Sequence, residues 1–221
     1  IHLLTAIQPL LLAGALPYAP ALAPIEVPSR RVHAVRDSVE WFEGALFSVK
    51  AKAEAEGKPV VFVFVAEDSA WCDKLLDITF EDGDVLAELA KCVCVKVDLT
   101  RDEQGNLLDP NAGKLADKFP VRAFPTLVYV GSDLKPDDFL AGYAPPAHML
   151  GELQRMLSGN LTLSHLRAEV QRAPDDVEWL WKLSQKLDDF GYANQEAEAI
   201  ARIEALDPER RSRPLRAYDL A

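Results

Sequence analysis

Residues 60–75 read VVFVFVAEDSAWCDKL, and this stretch decides the fold. The unbroken run of β-branched and aromatic residues from Val60 to Val65 has the make-up of a strand buried on both faces, as in a sheet covered by helices. After Ala66-Glu-Asp-Ser69 a helical pattern begins, with Cys72, Leu75, Leu76 and Thr79 at i, i+3, i+4 and i+7 on one face. A cysteine beside a tryptophan just past a strand raises the question of thiol chemistry, because a helix N-terminus stabilises thiolate.

Working outward, residues 39–56 carry apolar side chains at 39, 42, 46 and 49, which predicts a helix closed by Gly57-Lys-Pro59. Helix is predicted over 71–89, with a break near Gly83. Residues 92–99 (CVCVKVDL) predict a second buried strand. Two such strands joined through a helix imply a parallel crossover unit. A short helix over 115–119, strands over 126–130 and 138–142, and a helix over 146–157 complete an α/β order covering about 37–158. From 161 the pattern turns helical, over 161–172, 176–190 and 195–206.

Two motifs carry a family resemblance. Val121-Arg-Ala-Phe-Pro-Thr-Leu-Val-Tyr-Val130 is similar to the Val-Arg-x-x-Pro-Thr stretch of the thioredoxin superfamily, and AEDSAWC resembles its strand-to-active-site turn. The resemblance implies a thioredoxin-like α/β fold, a central mixed sheet flanked by helices. It also implies a cis bond at Pro125, and a loop of Phe124, Pro125 and Thr126 beside the active site that, with Trp71, binds polypeptide. Aligned from Val61 without a gap, Ser69 falls on the family's first cysteine and Cys72 on the second; Phe80, eight residues after Cys72, agrees with that register. The motif is then Ser-x-x-Cys. The competing register makes Cys72 the first cysteine and Leu75 the replaced second. In the first register Val63 stands where thioredoxins keep a buried aspartate. The 34 residues from Pro174 to Pro208, with Gly191 in the turn, resemble a tetratricopeptide repeat; the alternative is a plain helical hairpin.

The residues themselves argue against an activated thiol. Eight carboxylates and a single base, Lys74, lie between Glu67 and Glu88, and negative neighbours disfavour thiolate. A serine hydroxyl needs a base, and His33, His148 and His165 are distant in sequence. Ser69 and Asp68 read as helix caps. Cys92 and Cys94 alternate with valines and read as core residues, poorly spaced for a disulfide. The acids of 99–111 lack calcium-loop spacing, so that segment reads as a solvated loop. No cofactor or metal site is expected.

The net charge of −11 argues against nucleic acid and anionic membrane surfaces. Residues 1–28 form an apolar segment and linker. The segment resembles a signal remnant, which would make the protein periplasmic or secreted; as an apolar arm it would fit a cytoplasmic protein. Its prolines argue against a membrane span. The domains expected are thus 37–158 thioredoxin-like, 161–208 a tetratricopeptide-like hairpin, and 209–221 a tail. The expected function is a polypeptide-binding, chaperone-like or adaptor module with a protein or peptide partner and without strong disulfide reductase activity. The alternative is a monothiol exchange enzyme using Cys72.

Overall fold

The computed structural model describes residues 38–131 and 135–209; the expectations for 1–28, His33 and 210–221 fall outside them. Helix α1 (Val49–Glu56) leads into β1 (Val60–Val65), followed by α2 (Ala70–Asp77), α3 (Gly83–Leu89) and β2 (Val93–Asp98). Then come α4 (Pro110–Ala116), β3 (Thr126–Val130), β4 (Pro136–Ala141) and α5 (Pro146–Leu157). The chain continues with α6 (Leu163–Arg172), α7 (Val177–Phe190) and α8 (Ala193–Leu206).

The sheet order is β2-β1-β3-β4, with β1 parallel to β2 and antiparallel to β3, and β3 antiparallel to β4. Every residue of β1 is buried, as its apolar run requires. Alternate side chains serve two cores. Val61, Val63 and Val65 pack with Cys72, Leu75, Leu89, Met149 and Leu153 of α2, α3 and α5. Val60, Phe62 and Phe64 pack with Val49, Ala53 and Ala112 of α1 and α4, and both phenylalanines meet the Phe119 ring, at 5.2 and 5.7 Å. Burying each such side chain stabilises the fold by roughly 1.5–3 kcal/mol.

Two predicted elements need correction. The helix expected over 39–56 starts only at Val49, after one 3-10 turn at Leu46–Ser48. Trp41 instead forms a parallel bridge with Cys94, and the Phe42 N–H donates to the Cys94 carbonyl at 2.8 Å. The outer edge of β2 has unpaired backbone groups, and an extended segment satisfies them where a helix could not. Val39 and Trp41 pack into one core and Phe42 into the other, which is strand alternation. The helix expected over 115–119 runs instead from Pro110 to Ala116, because the Asp109 carboxylate caps it by accepting from Asn111 N–H and proline suits its first turn.

Helices α6–α8 share a third core around Leu166, Leu180, Trp181, Leu187 and Ile203, which Phe139 of β4 joins. The seam with β4 is polar as well as apolar. Buried Asp138 accepts from Arg155 Nη1 and Lys186 Nζ, each at 2.6 Å, and from the Phe139 N–H at 2.8 Å. Asp137 accepts from the Ser164 N–H and hydroxyl at 2.6 and 2.8 Å, and Phe139 meets Phe190 edge-on at 5.1 Å.

Candidate functional site

The C-terminal ends of β1 and β2, the start of β3 and the end of β4 all open at one end of the sheet. The turns leaving these strands carry the residues singled out above. Ser69 is the N-cap residue of α2, in extended conformation, and its carbonyl accepts from the N–H groups of Cys72 and Asp73 at 2.8 and 3.3 Å. Its hydroxyl makes no cap hydrogen bond, and neither does the Asp68 carboxylate. The expected side-chain capping at this helix is therefore corrected: the main chain of Ser69 starts the helix and its side chain is uncommitted.

Cys72, one turn on, is 2% exposed and lies in the core with Val63 and Leu75. Val63 is fully buried, so hydrocarbon stands at the position the resemblance assigns to an aspartate. Cys72, Cys92 and Cys94 are all unbridged, buried thiols. Burial, reinforced by Glu88, pushes the Cys92 thiol up to about 12. Cys94 donates weakly to the Leu89 carbonyl. Cys92 and Cys94 thus sit in one core layer, as their alternation predicts.

Trp71, by contrast, is 53% exposed. Its ring stacks on Tyr143 at 5.5 Å, and Lys74 Nζ lies 4.4 Å from its centroid. The Phe124–Pro125 peptide bond is cis. Pro125 is buried while Phe124 is exposed. The loop is held on both flanks: the Gly142 N–H donates to the Pro125 carbonyl at 2.7 Å, and the buried Thr126 hydroxyl donates to the Ala123 carbonyl at 2.6 Å. Gly142 has φ +85°, a conformation glycine adopts without strain. Among the described residues the Phe124 N–H and carbonyl have no hydrogen-bond partner. An open cleft follows, lined by Glu67, Asp68, Leu99, Arg101, Asp102 and Phe124 among others.

The tertiary structure therefore brings Phe124 to the same cleft as the turn preceding Ser69. His148 and His165 are not among the cleft's lining residues, and His165 Nδ1 is occupied as acceptor of the Leu161 N–H at 3.0 Å. Tyr143 and Thr100 escaped sequence reading, as did the seat of Lys74 over the Trp71 ring. Tyr143 meets Trp71 only because β4 ends beside β3, which no local pattern records. Among the described residues no group of His, Cys, Asp or Glu side chains could hold a metal ion, and no helix is long and apolar enough to cross a membrane.

The comparisons with known proteins bear on the fold. No curated protein matches this chain. Among solved structures, a thioredoxin from Thermus thermophilus is 24% identical over 54% of this chain and 88% of its own, with a TM-score of 0.46. A disulphide isomerase from Xylella fastidiosa Temecula1 is 20% identical over 54% of this chain and 98% of its own, at a TM-score of 0.42. The C-terminal domain of DsbD from Neisseria meningitidis, in reduced form, is 16% identical over 49% and 90%, also at 0.42. Residues 46–157, just over half of the sequence, match the family described as thioredoxin-like domain, with β1, the Ser69–Cys72 turn and the Phe124–Pro125 loop inside the match, and to that family this chain belongs.

Proposed function

We propose that this protein holds an extended polypeptide against the Phe124–Pro125–Thr126 loop and does not itself turn over disulfides. The observation that carries the reading is the inversion at α2: a half-buried serine occupies the helix start, and the cysteine one turn later is sealed in the core. Thiol–disulfide exchange needs a thiolate that can reach a disulfide sulfur. Cys72, 2% exposed, cannot reach one, and the Ser69 hydroxyl, which makes no cap hydrogen bond, is a poor nucleophile without an activating base. In the register that supports this reading, Ser69-Ala-Trp-Cys72 is a Ser-x-x-Cys form of the family's dithiol. The polypeptide-binding half rests on the unpartnered Phe124 backbone, which can pair with a strand laid along it, and on the exposed rings of Phe124 and Trp71. The hairpin α7–α8 is of tetratricopeptide-like length and serves, in this reading, as a second docking surface for a protein partner.

Insulin reduction by dithiothreitol should run at the uncatalysed rate with the native chain and accelerate with Ser69→Cys. A native rate near that of an ordinary thioredoxin overturns the reading. On a Cys92→Ser/Cys94→Ser chain, alkylation of Cys72 by iodoacetamide in the folded protein at about pH 7 would establish the monothiol alternative instead. Phe124→Ala and Trp71→Ala should each weaken binding of an unfolded test polypeptide several-fold; unchanged binding in both removes the loop from the interaction.

A further inference from the structure

We infer that the segment held in this cleft is cationic: an extended polypeptide with Lys or Arg side chains flanking an apolar residue. The inference rests on the polypeptide-binding reading above and adds the chemistry of the partner. The cleft joins an apolar wall to a rim of one sign. Leu99, Ala66 and the Phe124 ring supply the wall, and Glu67, Asp68 and Asp102 supply the rim.

What matters is which charges are already committed. The Glu67 N–H donates to the Thr100 hydroxyl at 2.9 Å, and that hydroxyl donates to Asp98 Oδ1 at 2.5 Å, so the ends of β1 and β2 are tied through Thr100. The tie fixes the Glu67 backbone. It leaves the exposed carboxylates of Glu67 and Asp68 with no ion pair and no hydrogen bond among the described residues. Asp102 accepts from the N–H groups of Asn106, foremost, and Gln104, at 2.8 and 2.9 Å, which hold its carboxyl below the ordinary range.

Arg101, the one cation among the lining residues, offsets only part of this rim. Arg101 Nη1 donates to the Gly105 carbonyl at 2.7 Å within its own loop. Lys74 lies over the Trp71 ring, and Asp73 stands beside it in sequence. Of the four charged residues lining the cleft, three are acidic. An acidic segment meets repulsion here, whereas a Lys or Arg side chain finds carboxylates that nothing else has claimed. The net charge of −11 steers a cationic partner in the same direction.

Three fluorescein-labelled peptides of one length test this on the full chain. They share a central Leu-Trp-Val and differ only in four flanking positions, all Lys, all Gln or all Glu. Anisotropy titration at low and at physiological salt gives each Kd. The Lys peptide should bind at least tenfold tighter than the Glu peptide at low salt, with the gap narrowing at high salt. Glu67→Gln with Asp68→Asn should reduce that ratio to below about threefold. The same two charges removed from the helical unit, by Asp175→Asn with Glu198→Gln, should leave the ratio intact. Equal binding of the Lys and Glu peptides overturns the inference, as does equal loss of preference in the control pair. A Gln peptide that binds with a Phe124→Ala-sensitive Kd while charge makes no difference sinks the inference and spares the polypeptide-binding reading. No binding by any of the three sinks both.

Discussion

Two regions of this molecule treat polar groups in opposite ways. At the seam between β4 and the helical unit, the buried Asp138 carboxylate is paired with Arg155, Lys186 and the Phe139 N–H. At the other, Glu67, Asp68 and the Phe124 main chain are left open at the mouth of a cleft. Burial explains the first: an unpaired carboxylate in a core is too costly to persist. Solvent permits the second, and groups that the fold leaves unpaired at a concave surface are the ones available to a partner. A related contrast separates two residues one helical turn apart, because Cys72 is sealed in the core while the half-buried Ser69 hydroxyl makes no cap hydrogen bond.

The largest expected effect lies at the seam. Asp138→Ala strips the counter-charge from two partly buried cations and should cost about 3 kcal/mol in urea unfolding, whereas Glu67→Gln/Asp68→Asn should change stability by less than about 0.5 kcal/mol. Equal effects at the two places would erase the comparison. Phe139→Ala removes the edge-on contact with Phe190 and should cost about 2 kcal/mol, read as a lowered urea midpoint.

A third test uses pH. Cys92 holds its proton up to about 12 in the folded chain, above the ordinary thiol value of 9.0. Between those values the folded state keeps a proton that the unfolded state has released, so stability falls as pH rises. Unfolding midpoints from pH 8.5 upward should therefore decline more steeply in the native chain than in Cys92→Ala, by up to about 1.4 kcal/mol per pH unit. Parallel declines would show that burial does not hold this thiol neutral. The smallest effects compare helix caps. Asp176 accepts from the N–H groups of Glu178 and Trp179, and its change to Ala should cost about 1 kcal/mol. Ser69→Ala, which loses no cap bond, should cost less than about 0.5 kcal/mol by thermal unfolding.

Most of the strands and helices were legible in the sequence because burial imprints a period on it. Residues 126–130 and 146–157 match β3 and α5 to the residue. Residues 39–45 misled for a physical reason: apolar spacing compatible with a helix also fits a strand whose faces meet two different cores. Pairing to the open edge of β2 decided between them. At the site, Cys72, Ser69 and the Phe124–Pro125 loop could be picked out, since a strand followed by Trp-Cys and a Phe-Pro-Thr before a strand are local patterns. Tyr143, Thr100 and Gly142 could not, because each acts through a neighbour supplied by the sheet order.

By itself, then, the sequence determined that this chain builds a thioredoxin-like sheet, that a serine precedes the helix carrying Cys72, and that its charge is strongly acidic. Those properties are local or additive, so composition and spacing carry them. Only the tertiary structure decided that Cys72 is sealed from solvent, that Asp138 is locked between two cations, and that Glu67 and Asp68 face the Phe124 cleft without partners. Each of these depends on which distant segment covers or abandons a polar group, and that is settled by how strands and helices pack.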